Sequence, residues 1–379
     1  FYPYFQTPLV QFSKLVIEKT TSPKPKQAYE ALKFGHTFTD HMFEVDWDNK
    51  NGWGTPKIRP HGNLSIDPAA SSLHYALQCF EGMKAYIDTN GDIRLFRPEM
   101  NMNRINSSAN RLLLPTIDPD QALLCLKELM RVDKSWIPNK FGYSLYIRPT
   151  LISTTPFLGV APPTHAKFYI ICSPVGPYYP TGFAPVRLLA DPQYVRAWPG
   201  GTGNIKCGGN YAMSIGPARK AAEKGYQQLL WLFGDEHQVT EVGTMNQFWV
   251  WKSKVDGETE LVTAPLDGTI LPGVTRDSVI QLAKSWGLRV REEHYTINDV
   301  IDAVKEGRMI EAFGSGTAAI VSPVNCVGFD GVDYEIPLNK DDKTATAGPL
   351  TQKIADTIMG IQYGKIQNSP FSNWSVIVN

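Results

Sequence analysis

A segment rich in proline and glycine near the middle of the chain limits its possible folds more than any other feature. The run SPVGPYYPTGFAP, residues 173–185, holds four prolines and two glycines and shows no helical or strand-like spacing. Such a segment is typical of a linker that connects two folded units and belongs to neither of them. We therefore predict a small N-terminal α/β domain at 1–173, a linker at 174–184 and a large C-terminal domain at 185–379.

The composition is that of an ordinary globular protein with a sizeable core. The chain has 379 residues, 42% of them hydrophobic, and a formal net charge of zero. Without a basic stripe or a long apolar run, nucleic acid and membrane are not expected partners, which leaves small molecules and a second copy of the chain. Five scattered cysteines form no CxxC pair and no metal-ligand spacing, so we expect a reducing compartment and no metal site.

Apolar spacing predicts both strands and helices. Runs at 168–172, 229–233 and 248–251 predict strands. One helix is predicted to begin at Asp118, followed by Pro119; two more run from Thr275 to Gly287 and from Thr296 to Gly307. This mixture predicts an α/β (α+β) fold.

Lys206 lies in the run GGTGNIKCGGNY, among five glycines and just before a tyrosine. A lysine in such crowded surroundings loses solvation, and a lysine that becomes neutral attacks carbonyl carbon. A phosphate-binding P-loop would need Gly before the lysine and Ser or Thr after it, whereas Ile205 and Cys207 stand there. The run thus favours a Schiff-base lysine over a nucleotide site, and a solvated loop is the alternative.

A Schiff base with pyridoxal phosphate requires a carboxylate beside the ring nitrogen and donors for a phosphate. Glu241, in TEVGTMNQFWVW, is the candidate carboxylate at the entrance to an aromatic strand. Helix starts and glycine turns present backbone N–H groups to anions. Two segments have that pattern: Gly273, Val274 and Thr275 before a helix, and a predicted turn formed by Gly314, Ser315, Gly316 and Thr317.

The second turn also fits a loose dinucleotide-binding pattern, GxGxxA. That pattern must open a helix, but here Ile320 and Val321 lead into Pro323. A nicotinamide- or flavin-dependent enzyme is therefore disfavoured.

Taken together, GGTGNIKCGGNY, TEVGTMN, ILPGVTR and FGSGTA resemble the branched-chain amino acid aminotransferases, which are fold type IV pyridoxal-phosphate enzymes. The resemblance continues through FGHTFTDHMF, HYALQCFEGMKAY, LFRPEMNMNR, SLYIRP and FLGV, and so covers nearly the whole chain. It implies two domains with the cofactor at their interface. It also implies transamination of leucine, isoleucine and valine with 2-oxoglutarate, giving branched-chain 2-oxo acids and glutamate.

The resemblance implies roles for particular residues. Lys206 is similar to the catalytic lysine that carries the cofactor and moves the proton, Glu241 to the partner of the pyridine nitrogen and Tyr211 to the donor facing the phenolic oxygen. The other residues implied to bind the cofactor, chiefly at its phosphate, are Arg104, Thr244, Gly273, Val274, Thr275, Gly316 and Thr317.

The same resemblance implies a substrate pocket and a homodimer. Arg148, Thr317 and Ala318 are similar to carboxylate contacts, and Leu158 and Val160 to residues that reach the neighbouring subunit. An aromatic lining is implied for Phe34, Tyr75, Phe80, Tyr146 and Tyr178.

Two points limit what the resemblance implies. Animal members carry a redox-sensitive CxxC after the GSGTA turn, whereas Ala319 and Ser322 stand here, so thiol switching by that route is not expected. We interpret Cys207 as a packing residue.

D-amino acid aminotransferase, aminodeoxychorismate lyase and a non-catalytic pyridoxal-phosphate carrier are the alternatives to a branched-chain aminotransferase. The cytoplasm and the mitochondrial matrix both remain open as locations.

Overall fold

The chain forms two compact units in the computed structural model, which describes residues 9–177 and 183–378. Residues 9–177, 205–208 and 360–378 belong to the first unit, and residues 183–204 and 209–359 to the second. Ile205–Gly208 therefore belongs to the first unit although its neighbours in the chain belong to the second. Residues 178–182 of the predicted linker, among them Tyr178, lie outside the described residues.

Helices and strands are numbered in chain order. Up to residue 177 they are β1 (Val16–Ile17), β2 (His41–Asp48), β3 (Gly52–Trp53), β4 (Lys57–Pro60), α1 (Ser71–Tyr75), β5 (Gln78–Phe80), β6 (Met83–Ile87), β7 (Ile93–Phe96), α2 (Pro98–Arg111), α3 (Pro119–Val132), β8 (Ser144–Ser153) and β9 (His165–Val175). From residue 183 they are β10 (Val186–Ala190), α4 (Gly209–Ala212), α5 (Ile215–Glu223), β11 (Gln228–Phe233), β12 (Gln238–Val242), β13 (Met245–Lys252), β14 (Thr259–Thr263), α6 (Val274–Ser285), β15 (Arg289–Glu292), α7 (Ile297–Lys305), β16 (Met309–Gly316), β17 (Ile320–Phe329), β18 (Val332–Glu335), α8 (Pro349–Gln362) and β19 (Ser375–Val378).

A 10-stranded sheet with the order β1-β4-β2-β9-β8-β6-β7-β19 forms the framework of the first unit, with β3 on β2 and β5 on β8. Its longest pairing is antiparallel, with Ser144 of β8 opposite Val175 of β9. Apolar residues of β2, β8 and β9 share one core with α2 and α3. This core holds β8 and α2, which carry several predicted site residues, in fixed positions.

Helix α2 buries polar side chains as well as apolar ones. It begins with Pro98, which suits the first turn of a helix. Asn101, Arg104 and Ser108 are all buried, and their spacing of three and four residues places them on one face. This buried polar stripe is the feature of α2 that bears on function.

The second unit contains a 9-stranded sheet that closes on itself. The strand order is β12-β11-β10-β17-β16-β13-β14-β15, and β12 also pairs with β13. This further pairing closes six strands, β12, β11, β10, β17, β16 and β13, into a barrel. Residues of these strands and of α7 share a second core. Closure brings Glu241 of β12 opposite Asn246 of β13.

The structure confirms the predicted mixture of helices and strands and most of the predicted elements. Asp118 caps α3 by accepting from the backbone N–H groups of Asp120 and Gln121, and Thr296 caps α7. Helix α6 begins at Val274, one residue earlier than predicted. The predicted turn at 314–317 is wrong for its first three residues, which pair with Ser322, Val321 and Ile320 in the β16–β17 ladder, so the turn occupies residues 317–319.

Candidate active site

Main-chain hydrogen bonds hold Lys206 in the first unit. Its N–H donates to Ser108 Oγ on α2 (2.9 Å), and its carbonyl accepts from the N–H of Phe80 at the end of β5 (3.0 Å). The backbone of the next residue, Cys207, pairs with that of Cys79 in an isolated antiparallel β-bridge, and both thiols are free. The lysine is thus fixed to α2 and β5 on both sides of its backbone, which excludes the solvated-loop alternative.

The amine of Lys206 lies in poorly solvated surroundings. Its side chain is half-buried, and Nζ is 4.9 Å from the centroid of the Phe80 ring. Burial lowers the pKa of Lys206 to about 8, and Arg104 and Arg148 act in the same direction, while Glu81 and Tyr146 oppose them. At neutral to mildly alkaline pH the chain therefore keeps part of this amine in the nucleophilic form.

Arg104 forms a buried ion pair with Glu81. Its Nε lies 2.7 Å from Glu81 Oε1 and its Nη2 lies 2.8 Å from Oε2, so the contact is a two-pronged one. Asn101 Nδ2 donates to the same Oε2 at 2.8 Å. Burial by itself raises the pKa of Glu81, but the charge and hydrogen bonds of Arg104 outweigh it, and the pKa is lower than usual.

Aromatic side chains gather around the Lys206 segment. The ring of Tyr146 meets that of Phe34 edge-on, with centroids 4.8 Å apart. The guanidinium of Arg148 lies 4.7 Å from the centroid of Phe80, and its Nη2 donates to Tyr146 Oη at 3.0 Å. This wall combines apolar surface with one cation, which suits an apolar side chain and a carboxylate on the same ligand.

Gly82 leaves room for the hydroxyl of Tyr146. A Cβ at position 82 would lie 2.2 Å from Tyr146 Oη, closer than any real contact. Gly82 also donates its N–H to Glu81 Oε2 (3.2 Å). The glycine therefore couples the aromatic wall to the buried ion pair.

Four of the predicted substrate residues are exposed in the first unit. The exposed fractions are 48% for Phe34, 46% for Tyr75, 63% for Leu158 and 86% for Val160. The hydroxyl of Tyr75 donates to the carbonyl of Leu158. The structure therefore groups Tyr75 with the loop that carries Leu158 and Val160, and both aliphatic side chains face solvent.

Glu241 is buried in the second unit, and Arg196, Leu271 and Asn246 are among the residues that hold it. Arg196 Nε lies 2.9 Å from Oε2, while Oε1 accepts from the N–H of Leu271 (2.7 Å) and from Asn246 Nδ2 (3.0 Å). Only 2% of Glu241 is exposed, so it is not a solvated carboxylate at a strand end. Because arginine remains protonated, it supplies a permanent positive partner for this carboxylate.

The start of α6 lies close to the Glu241 network. Gly273 is the N-cap residue, and Val274 and Thr275 form the buried first turn, whose N–H groups have no partners within the helix. A Cβ at Gly273 would lie 2.2 Å from Asn246 Oδ1, the side chain that also holds Glu241. Glycine at this position lets a helix N-terminus, which attracts anions, approach the carboxylate network.

The turn after β16 holds the remaining predicted anion-binding residues. Gly316 ends the strand, and Thr317 and Ala318 form the half-buried turn. Ser315, opposite Asn246 on the neighbouring strand, is 2% exposed, and within the described part of the chain its Oγ has no hydrogen-bond partner. A buried hydroxyl without a partner fits a site that a polar ligand completes.

Tyr211 and Thr244 complete the predicted set in the second unit. Tyr211 is half-buried in α4, and Thr244 is exposed in the turn between β12 and β13. Tyr178 lies outside the described residues. The predicted residues that the structure describes are thus divided between the first unit, which holds Lys206, and the second, which holds Glu241.

Sequence reasoning missed Glu81, Arg196 and Asn246. Glu81 and Asn246 both lie in motifs that carried the resemblance, HYALQCFEGMKAY and TEVGTMN, so a signal was present. Arg196 lies in YVRAWPGG, which carried none. Each of the three holds a predicted residue in place. Glu81 holds Arg104, and Arg196 and Asn246 hold Glu241.

The fold and this set of residues match a known family. Residues 78–327 match the family described as amino-transferase class IV, and the chain belongs to that family. Several of the proteins that it resembles are branched-chain-amino-acid aminotransferases. The chain is 53% identical over 374 residues to the branched-chain-amino-acid aminotransferase of Dictyostelium discoideum, covering 98% of this chain and 96% of the relative.

Two relatives from Saccharomyces cerevisiae are similar over the same extent. The cytosolic branched-chain-amino-acid aminotransferase is 51% identical, covering 97% of each chain, and the mitochondrial one is 50% identical, covering 97% of this chain and 93% of the relative. The solved structure of a T.th. branched-chain amino acid aminotransferase with pyridoxamine 5'-phosphate is also similar. It has a TM-score of 0.68 at 26% identity and covers 88% of this chain and 98% of that chain.

Proposed function

We propose that this chain is a pyridoxal-phosphate-dependent aminotransferase that transfers the amino group of leucine, isoleucine or valine to 2-oxoglutarate. Relatives with that activity in their names match it at about half identity along nearly their whole length. The observation that carries the proposal is the half-buried Lys206, whose pKa is lowered to about 8 by burial first. Burial lowers the pKa of Lys84 in the same way, so what distinguishes Lys206 is its position beside the Phe80 ring and the charges of Arg104, Glu81 and Arg148.

The cofactor fits the residues present. A partly neutral amine, a fixed carboxylate, a helix start opened by Gly273 and the hydroxyl of Ser315, which has no hydrogen-bond partner among the described residues, are the groups that a phosphorylated pyridine aldehyde needs. When bound, pyridoxal phosphate supplies an aldehyde and a conjugated ring that accepts electron density.

The side chains act on the proton and on the charge. Lys206 Nζ would move a proton between the α-carbon of the substrate and the cofactor carbon, because its lowered pKa suits both accepting and giving up that proton. Glu241, which Arg196 holds in place, would pair with the ring nitrogen and keep it protonated. Tyr211 would donate to the phenolic oxygen.

Binding of the phosphate falls to Arg104 and to backbone groups. Arg104 contributes its guanidinium. The N–H groups of Val274 and Thr275, with Gly273 before them, contribute the positive end of a helix dipole. Gly316, Thr317 and Thr244 contribute backbone and hydroxyl donors.

The substrate pocket uses the aromatic wall of the first unit. Phe34, Phe80 and Tyr146 would surround the branched aliphatic side chain. The resemblance implies Tyr75 and Tyr178 as further lining residues. Arg148 binds the second carboxylate of 2-oxoglutarate, whereas Thr317 and Ala318 bind the α-carboxylate.

We further propose a homodimer. The aliphatic side chains of Leu158 and Val160 are 63% and 86% exposed, and burial against a second copy would remove them from water. Residues 1–173 would form most of the small domain and residues 185–379 most of the cofactor-binding domain, apart from residues 205–208 and 360–378, which belong to the first unit. The compartment is the cytoplasm or the mitochondrial matrix. Among the described helices, none is long and apolar enough to cross a bilayer.

One experiment separates this function from its alternatives. The purified chain, loaded with pyridoxal phosphate, is expected to lose its yellow absorbance when leucine is added and to regain it with 2-oxoglutarate. A response to D-amino acids alone would indicate D-amino acid aminotransferase, and a colour indifferent to every amino acid would indicate a carrier or a lyase. Either result would overturn the proposal.

A further inference from the structure

The carboxylate of Glu81 is fully buried, yet none of the roles described above uses it. It lies in the turn between β5 and β6 with 0% of its surface exposed. Oε1 accepts from Arg104 Nε, and Oε2 accepts from Arg104 Nη2, Asn101 Nδ2 and the N–H of Gly82. Its own N–H donates to the carbonyl of Pro149 at 2.8 Å. Backbone and side chain are both fixed, so the carboxylate has one orientation.

Glu81 in turn fixes Arg104. Two nearly parallel hydrogen bonds define the plane of a guanidinium, so the remaining N–H groups of Arg104 point in one direction. The helix helps, because Asn101 lies one turn before Arg104 and binds the same carboxylate. Ser108, one turn after it, donates to the carbonyl of Arg104 and accepts from the N–H of Lys206. One face of α2 therefore connects Glu81, Arg104 and the Lys206 segment.

Charge also links the Glu81–Arg104 pair to Lys206. The groups that act electrostatically on Lys206 are Arg104 on α2, Glu81 in the β5–β6 turn, and Tyr146 and Arg148 on β8. Among them Glu81 is the carboxylate, and it pairs with Arg104, the arginine with the larger effect on the lysine. Without it, two arginines would act on the lysine unopposed by any carboxylate of this set.

We propose that Glu81 is a positioning residue of the active site, which orients the guanidinium of Arg104 and offsets its charge beside the amine of Lys206. The orienting role rests on the proposed function, in which Arg104 binds the cofactor phosphate. The charge-offsetting role concerns the side chains alone and is measurable without cofactor.

The charge-offsetting role is tested on the full chain freed of cofactor. Reductive methylation with ¹³C-formaldehyde places a reporter on each lysine, and NMR then follows the titration of each one; Lys206→Met identifies the signal of Lys206. In Glu81→Gln the pKa of Lys206 is expected to fall by about one unit, roughly a tenfold change in proton affinity, because Arg104 is no longer offset. Lys84 is an internal control, since burial alone lowers its pKa to about 8, and its signal is expected to stay in place.

Matched variants separate charge from fold. Glu44→Gln removes another carboxylate of the first unit, from its pair with Arg59 (2.9 Å), and is expected to leave Lys206 unchanged. In the double variant Glu81→Gln/Arg104→Met both charges are absent, and the pKa of Lys206 is expected to return toward that of the unmodified chain. An unshifted Lys206 signal in folded Glu81→Gln would overturn the charge-offsetting role. Should Glu81→Gln not fold, a double variant whose Lys206 titrates far from the wild-type value would do the same.

The orienting role is tested with Glu81→Asp, which keeps the charge but shortens the side chain. Its Lys206 is expected to titrate as in the wild type, while inorganic phosphate, titrated calorimetrically, is expected to bind about tenfold more weakly, since one charge-assisted bond is disturbed. Wild-type phosphate affinity in Glu81→Asp would overturn this role. A chain without transaminase activity that still showed the Glu81→Gln shift would contradict the proposed function but support the charge-offsetting role.

Discussion

Arg196 and Glu241 form a buried ion pair in which Arg196 Nε lies 2.9 Å from Glu241 Oε2, with 5% and 2% of the two side chains exposed. Such a pair is costly to bury unless its remaining donors and acceptors are satisfied. The N–H of Leu271 and the amide of Asn246 complete the arrangement at Oε1. The carboxylate is therefore fixed before any ligand arrives.

Glu241→Gln tests whether this carboxylate acts on the chemical step. The amide keeps the volume but lacks the negative charge that would hold the ring nitrogen protonated, so kcat is expected to fall about a hundredfold or more while the cofactor remains bound. Single-turnover absorbance with leucine measures the step. Glu260→Gln, which alters the Glu260–Arg291 pair (2.9 Å) of the same unit, is the control and should leave kcat near wild type. Wild-type rates in Glu241→Gln would rule out the role.

Lys206→Ala is expected to abolish both transamination and covalent attachment of the cofactor. The phosphate-binding groups are untouched, so pyridoxal phosphate should still bind, but borohydride should trap no linkage. Lys84→Met is a matched control, because Lys84 is also buried with its pKa lowered to about 8 by burial. Peptide mapping after borohydride treatment makes the comparison. A label on any peptide other than the one containing residue 206 contradicts the assignment.

The lowered pKa of Lys206 predicts how its reactivity depends on pH. Burial lowers the pKa of Lys206 from the ordinary lysine value of 10.5 to about 8 in the folded chain. The neutral fraction should therefore fall about tenfold for each pH unit below 8 and level off above it. Acetylation of the cofactor-free chain with acetic anhydride over a range of pH, followed by peptide mapping at Lys206, gives the midpoint. A midpoint close to that of an exposed lysine would show that the amine is well solvated.

Gly82→Ala should damage the aromatic wall through Tyr146. The new Cβ would lie 2.2 Å from Tyr146 Oη, so the ring and its bond to Arg148 must move. We expect KM for leucine to rise by about tenfold, corresponding to about 1.4 kcal/mol of lost binding, with a smaller change in kcat.

A second substitution checks the cause of that effect. Removing the hydroxyl in Gly82→Ala/Tyr146→Phe should restore much of the affinity, since the closest clash is with that oxygen. Gly62→Ala, where the nearest atom is 3.6 Å away, is the control. Loss of affinity that persists in the double variant would mean that Gly82 acts through another contact.

Local signals in the sequence predicted the elements well where the cause is itself local. Asp118 and Pro119 mark the start of α3 because a side-chain cap and a fixed backbone angle act within one turn. The secondary structure of the GSG run, residues 314–316, was harder to predict. Glycine favours turns, but it also suits a strand against which other side chains pack closely. Here a Cβ at Gly314 would come within 3.0 Å of Val242 and one at Gly316 within 3.1 Å of Met245.

The site was predictable as a set of residues but not as a set of contacts. The motifs indicated Lys206, Arg104 and Glu241, and their roles stay predictions. The partners Glu81 and Arg196 depend on pairings between segments 23 and 45 residues apart. No local pattern encodes such distances, so the structure was needed to show which charge offsets which.

The assignment of Ile205–Gly208 to the first unit has a consequence for protein engineering. A hybrid made by exchanging everything after residue 177 with a relative would bring in a foreign lysine segment, whose backbone would have to match Ser108 and Phe80 of the retained half. Successful shuffling would therefore need to keep those four residues with their original scaffold, and a single crossover after residue 208 does so only by also retaining residues 183–204 of the second unit.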